Sequence, residues 1–145
     1  MKDAQTLLEE ISQTLPEVSG LLTGHGLTSA AEWELTVAQM RVLRALPDRT
    51  SSTADQLARR LGISRVALSG LADGLLQRGL VERRTGLADP RTLYLRLSPA
   101  GREARETLRM RRRSRAAAAL GGLPPQQLEK IADSVALLRQ ALQEA

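Results

Sequence analysis

Arg65 follows Ser64 directly and precedes Val66, Ser69 and Gly70 in one short stretch. A guanidinium is a planar fork of donors that matches the two acceptors on the major-groove edge of guanine, a pairing worth about 1–3 kcal/mol of base discrimination. The hydroxyls of Ser64 and Ser69 can bond a base edge or a phosphate, and Val66 can touch a thymine methyl. Thr53, at the head of the preceding segment, is grouped with them. A second cluster, Arg84, Asp89 and Arg91, surrounds the turn residues Gly86 and Asp89-Pro90. There Asp89 can fix the direction of a neighbouring arginine, and Arg91 can enter a narrow minor groove, where negative potential concentrates. This is recognition chemistry, made of hydrogen bonds and ion pairs. Taken alone, a helix arginine or a charged hairpin tip is more often plain solvated surface.

Other chemistries find little to work with. The chain has no cysteine, which excludes a disulfide framework, thiolate metal ligation and thiol redox switching. His25 is the only histidine and stands in Gly24-His25-Gly26 without a ligand cluster, so no metal is expected. No phosphate loop or dinucleotide motif occurs, no carboxylates are arranged for acid–base work, and neither an enzyme nor a cofactor is expected. No apolar run approaches the ~20 residues of a membrane span, and Met1-Lys2-Asp3-Ala4-Gln5 does not open a signal peptide. The expectation is a soluble, cytoplasmic protein with no membrane partner.

Charge is divided along the 145 residues. From Arg41 to Arg115 there are 18 arginines against seven acids, a net of +11, whereas the two ends together carry three cations and nine acids, a net of −6. A basic middle between acidic ends points to a polyanion partner for the middle alone. An arginine-rich but otherwise ordinary soluble protein would show the same total.

The elements that must position these residues follow from apolar spacing. Leu7, Leu8, Ile11, Leu15, Val18 and Leu22 predict a helix over 3–22, kinked or interrupted at Pro16, with a break at Thr23-Gly24-His25-Gly26. Val37, Met40, Leu43 and Leu46 share one face of a helix over 36–46, with Thr36 as cap. Thr53 caps a short helix ending at Leu61, with Leu57 and Leu61 inward. Ser64 caps the next, which runs to about Arg78, buries Leu68, Leu71, Ala72 and Leu75, and stops at Gly79. Between these two, Gly62-Ile63 makes a tight turn. Strands are predicted over 80–84 and 93–97, a long helix from Ser98-Pro99 to about Leu120, and a last helix opened by Pro124-Pro125 with a nearly coiled-coil stripe at Leu128, Ile131, Val135, Leu138 and Leu142. Helix, tight turn, helix and hairpin in that order form a winged helix-turn-helix, which places its second helix in a major groove. The fold class is mainly α with a small β-wing.

Leu35-Thr36-Val37-Ala38-Gln39-Met40-Arg41-Val42-Leu43, Leu57-Ala58-Arg59-Arg60-Leu61-Gly62-Ile63-Ser64-Arg65, Gln77-Arg78-Gly79-Leu80-Val81-Glu82-Arg83-Arg84, Asp89-Pro90-Arg91 and Leu97-Ser98-Pro99-Ala100-Gly101 together resemble the MarR family of winged-helix transcriptional regulators. The resemblance is close over about 35–103 and elsewhere rests on helix order. It implies one domain over 1–145, with a DNA-binding part at 35–98 and dimerisation helices at 1–34 and 99–145. It also implies a homodimer that binds double-stranded DNA at a palindromic operator, most often as a ligand-responsive repressor. Carried over, Ser64, Arg65, Val66 and Ser69 fall on recognition-helix positions, and Asp89 and Arg91 on the wing motif. Val66-Ala67 stand where the family often has hydroxyls, and Gly70 and Gly74 where it often has long basic side chains. That poverty of polar groups motivates an alternative, a winged-helix protein-interaction module without specific DNA binding.

Two features stay open. Arg109-Met110-Arg111-Arg112-Arg113-Ser114-Arg115 reads first as a solvated helix surface with some acidic partners, and second as a phosphate contact. Trp33 lies where the resemblance places an effector pocket. It either packs there or lines a pocket that, in a chain without phenylalanine, would be aliphatic and arginine-rimmed and would suit an anionic amphipathic small molecule.

Overall fold

The structure, a computed structural model, describes residues 1–23 and 33–145; the glycine-flanked break and His25 lie outside the described residues. The chain forms two compact units, 1–111 and 112–145. In the first, α1 (Ala4–Thr23) is a continuous helix. Asp3 accepts the Thr6 amide at 2.8 Å, and this bond holds its carboxyl below the usual range. Pro16 removes one amide donor, yet the helix runs through it without interruption. Its apolar side chains Leu7, Leu8, Ile11, Leu15 and Val18 are all exposed.

The winged part begins with α2 (Val37–Ala45), β1 (Ser52–Thr53), α3 (Ala54–Leu61) and α4 (Arg65–Gln77), and continues with β2 (Val81–Thr85) and β3 (Leu93–Leu97). Caps fix the helix starts. Thr36 with Gln39, and Thr53 with Gln56, form reciprocal capping boxes, and the Ser64 hydroxyl accepts the Ala67 amide at 3.0 Å. Between α3 and α4, Gly62 takes φ 65°, a left-handed conformation closed to most side chains; its amide still bonds Arg59 and the next amide bonds Ala58. The turn therefore reverses within a few residues.

The sheet is antiparallel, in the order β1-β3-β2. Val81 pairs with Leu97 and Thr85 with Leu93, while Ser52 pairs with Leu95. Strand β1 was not predicted: two polar residues carry no periodicity, and they pair only because β3 has a free edge. The hairpin matches expectation, except that Leu80 is buried in the corner before the strand instead of opening it.

The core gathers Leu35, Val42, Leu43, Leu46, Leu57, Leu68, Leu75 and Leu80, all almost fully buried. Val37, expected inward, is 42% exposed. It occupies the first position of α2, where the chain has just arrived at the surface. Leu61 and Leu71 are half-buried against the core rather than within it. Arginines close several helix ends from outside: Arg60 donates to the Ala45 carbonyl at 2.6 Å, Arg41 to Leu61 at 3.2 Å and Arg105 to Leu46 at 2.6 Å.

Helix α5 (Pro99–Leu120) starts in the first unit and ends in the second. Its start is locked to the α4–β2 corner. Ser98 donates its hydroxyl to the Gly79 carbonyl at 2.5 Å and accepts the Gly101 amide at 3.0 Å. In the second unit, α6 (Pro125–Glu144) has no buried residue and exposes Ile131, Val135 and Leu142. Among the described residues no helix is long and apolar enough to cross a membrane.

Gly101 is buried so closely against that corner that a Cβ would collide with the Leu80 backbone carbonyl. Gly101→Ala is therefore expected to lose about 1–3 kcal/mol of stability by overpacking. A urea or thermal unfolding midpoint equal to that of the wild type would contradict this packing.

Candidate nucleic-acid interface

Helix α4 buries Leu68, Ala72 and Leu75 and leaves Arg65, Val66, Ser69, Gly70 and Asp73 exposed, as the spacing required. Val66 is 84% exposed, an unusual cost for a β-branched apolar side chain unless something covers it. A Cβ on Gly70 would meet open space, so nothing in the fold demands glycine there. Gly74 differs. A Cβ at that position would strike the buried Gln39 side-chain amide, which is engaged in the α2 capping box. Gly74 thus serves the close approach of α2 and α4 and does not belong with the residues that thin out the exposed surface of α4, where the sequence reading had counted it.

The wing tip is an ordered turn. Asp89 accepts the Arg91 amide at 3.0 Å and the Thr92 hydroxyl at 3.4 Å, and its Oδ1 lies 3.5 Å from Arg91 Nε. The Gly86 amide donates to Thr92 at 2.8 Å, and the Thr92 amide to Asp89 at 3.0 Å. The Arg91 side chain, steered at its base by Asp89, is 95% exposed. Leu87 beside it is fully exposed. Arg84 is exposed on β2, with no partner of its own among the described residues.

Helix and wing are joined by polar ties. Arg65 Nη2 donates to the Arg91 carbonyl at 3.4 Å, and Arg83 pairs with Asp73 of α4. Beneath these ties lies an apolar cleft lined by Ala54, Leu68, Ala72, Leu93 and Leu95, with Arg65, Ser69 and Arg83 at its rim. The structure thus brings Ser64, Arg65, Val66, Ser69 and Gly70 onto one helix and links Arg65 directly to the Asp89–Arg91 turn. Thr53 caps α3, its hydroxyl accepting the Gln56 amide at 3.1 Å, as Ser64 caps α4. Leu87, Asp55 and Asp73 were not picked out as site residues from the sequence. An apolar residue at a turn tip could have flagged Leu87, but no spacing rule pairs an acid of one helix with a base of the next.

Many arginines of the basic middle serve the fold. Arg41, Arg60 and Arg105 close helix ends, and Arg96 pairs with Glu82 at 2.5 Å. In the Arg109–Arg115 run, Arg109 pairs with Glu106 at 2.7 Å, which lowers the Glu106 carboxyl and raises the guanidinium. Arg111 stacks over the Trp33 ring at 5.9 Å. Trp33 is half-buried against the core, and Arg78 donates to its carbonyl at 2.8 Å and to that of Glu34 at 3.2 Å. Among the described residues no cluster of His, Cys, Asp and Glu could hold a metal ion.

Comparison with known proteins agrees with this geometry. The sequence model of the MarR family matches residues 33–91. The HTH-type transcriptional repressor MdtR of Bacillus subtilis is 28% identical over 141 residues, covering 97% of this chain and 91% of the relative. The YusO protein of Bacillus subtilis superposes with a TM-score of 0.71 at 27% identity, over 97% of this chain and 99% of that one. The PcaV transcriptional regulator of Streptomyces coelicolor, solved in complex with its natural ligand, shares the fold with a TM-score of 0.67 at 21% identity, over 98% of both chains.

Asp89→Ala removes every side-chain bond that orders the Arg91 turn while touching no core residue. It is expected to leave the melting temperature within about 2 °C of wild type, yet to weaken binding to duplex DNA several-fold. Unaltered duplex affinity would mean that the turn needs no such ordering.

Proposed function

We propose that this chain, whose residues 33–91 match the MarR family model and whose fold resembles that of MarR-type regulators, is a homodimeric, ligand-responsive repressor acting at a palindromic operator. The observation that carries the DNA contact is the linkage of Arg65, in the first turn of α4, to the Asp89–Arg91 turn of the wing. In this reading Arg65, Ser69 and Ser64 face the major groove, with Val66 against a thymine methyl and Gly70 giving close approach. Arg91, Arg84 and the exposed Leu87 address the flanking minor groove.

Exposed apolar stripes on α1 and on α6 support self-association, since each would otherwise leave several large side chains in water. A two-fold dimer presents its recognition helices to half-sites about 10 base pairs apart. The likeness to the repressor MdtR supports repression as the sign of regulation. A small-molecule effector follows the ligand-bound relative PcaV, and Trp33 with Arg78 and Arg111 is where an anionic amphipathic compound would find an aromatic surface and positive charge. Such a ligand shifts the dimer only by binding one spacing of the helices better than the other. The interaction-module alternative keeps Val66 and Gly70 as its support, once Gly74 is assigned to packing.

Three outcomes test the proposal. The chain should sediment as a dimer at micromolar concentration; a monomer there would remove the two-fold operator. It should bind its own upstream region in preference to random duplex and lose affinity as salt rises. Arg91→Ala should weaken binding to all sequences and flatten the logarithmic salt slope by about one. An unchanged slope in anisotropy titrations would take Arg91 out of the interface.

A further inference from the structure

Asp55 lies in the first turn of α3, and its Oδ1 is 3.4 Å from Nε of Arg65 on α4. The Arg91 carbonyl accepts from Nη2 of the same guanidinium at 3.4 Å. An ion pair from α3 and a hydrogen bond to the wing backbone therefore engage one arginine. Its Nη1, and the second hydrogen of Nη2, have no partner among the described residues. That remaining edge is a two-donor fork, the shape that guanine's acceptors require.

A carboxylate on a surface that meets phosphates lowers affinity for every duplex. The positive end of α3 explains why an acid is tolerated in this turn. It does not explain why the acid is spent on a side chain of the next helix. An arginine has a long, freely rotating stem, and ordering it at the moment of binding is costly. Ordering it beforehand limits both that cost and the number of base patterns it can satisfy.

We propose that Asp55 is a positioning residue for DNA reading: together with the Arg91 carbonyl it presets Arg65, giving up general affinity for base discrimination. This rests on the reading that Arg65 contacts bases. It also makes the wing part of base readout, because the second acceptor is the backbone of the wing turn.

The full-length chain, Asp55→Asn, Arg65→Ala and the double variant are titrated by anisotropy against the upstream duplex and a random duplex of equal length. Asp55→Asn is expected to bind random duplex more tightly and to lose about tenfold in the ratio of the two affinities. On the Arg65→Ala background the same change should leave the ratio where it was. Circular-dichroism melts track any loss at the α3 terminus, which should be equal in both backgrounds. An equal gain for both duplexes would make Asp55 a simple repulsive charge and overturn the proposal. So would a ratio that falls equally with and without Arg65. Wild-type chain that binds both duplexes alike overturns the DNA-reading function itself, whereas discrimination surviving Asp55→Asn intact overturns only the role of Asp55.

Discussion

Burial of the Leu68–Ala72–Leu75 stripe fixes the rotation of α4, and everything offered to a partner follows from that rotation. An α-helix turns 100° per residue, so a slip of one position would carry Arg65 and Ser69 to the side and bring apolar groups outward. The stripe is held on two sides. Leu43 and Leu57 are buried with it, and Gly74 lets α2 come close enough for Gln39 to lie against α4. The left-handed Gly62 then sets the angle at which α4 leaves α3. A few apolar contacts and two glycines thus determine where a polar face points.

The positive charge is a mixture of two duties. Arg41, Arg60 and Arg105 neutralise carbonyls at the ends of helices, where a donor is needed and water would otherwise serve. Arg91 and Arg84 project outward instead. Net charge counts both alike, although only the second group is placed to compete for phosphates. The arginine preference over lysine suits both duties, since a rigid fork can bridge a carbonyl and a carboxylate at once, as Arg105 does with Leu46 and Asp48.

Most of the winged fold is legible in the sequence because its signals are local. Thr36, Thr53 and Ser64 announce helix starts by the hydroxyl they offer, and Leu93, Leu95 and Leu97 announce a strand by alternation. What stays hidden depends on partners distant in sequence. Strand β1 exists only through the edge of β3, Gly74 has meaning only against Gln39, and Asp55 only against Arg65. The continuity of α1 through Pro16 is hidden in another way, since one missing donor weakens a helix without dictating where it ends.

The polar joint between α4 and the wing bears on how such a surface can discriminate. Apolar side chains of both, Leu68, Ala72, Leu93 and Leu95, line the cleft between them, while the ties at its rim are Arg83–Asp73 and Arg65 to the Arg91 carbonyl. Exposed polar ties of this kind are individually weak, so the buried core holds the wing to α4 more firmly than they do. Arg65 is one of those ties, and if it also reads bases, as proposed above, wing angle and base identity become interdependent. With Val66 and Gly70 offering few hydrogen bonds, the specificity proposed for this protein would rest on that interdependence more than on the number of side chains reaching into a groove.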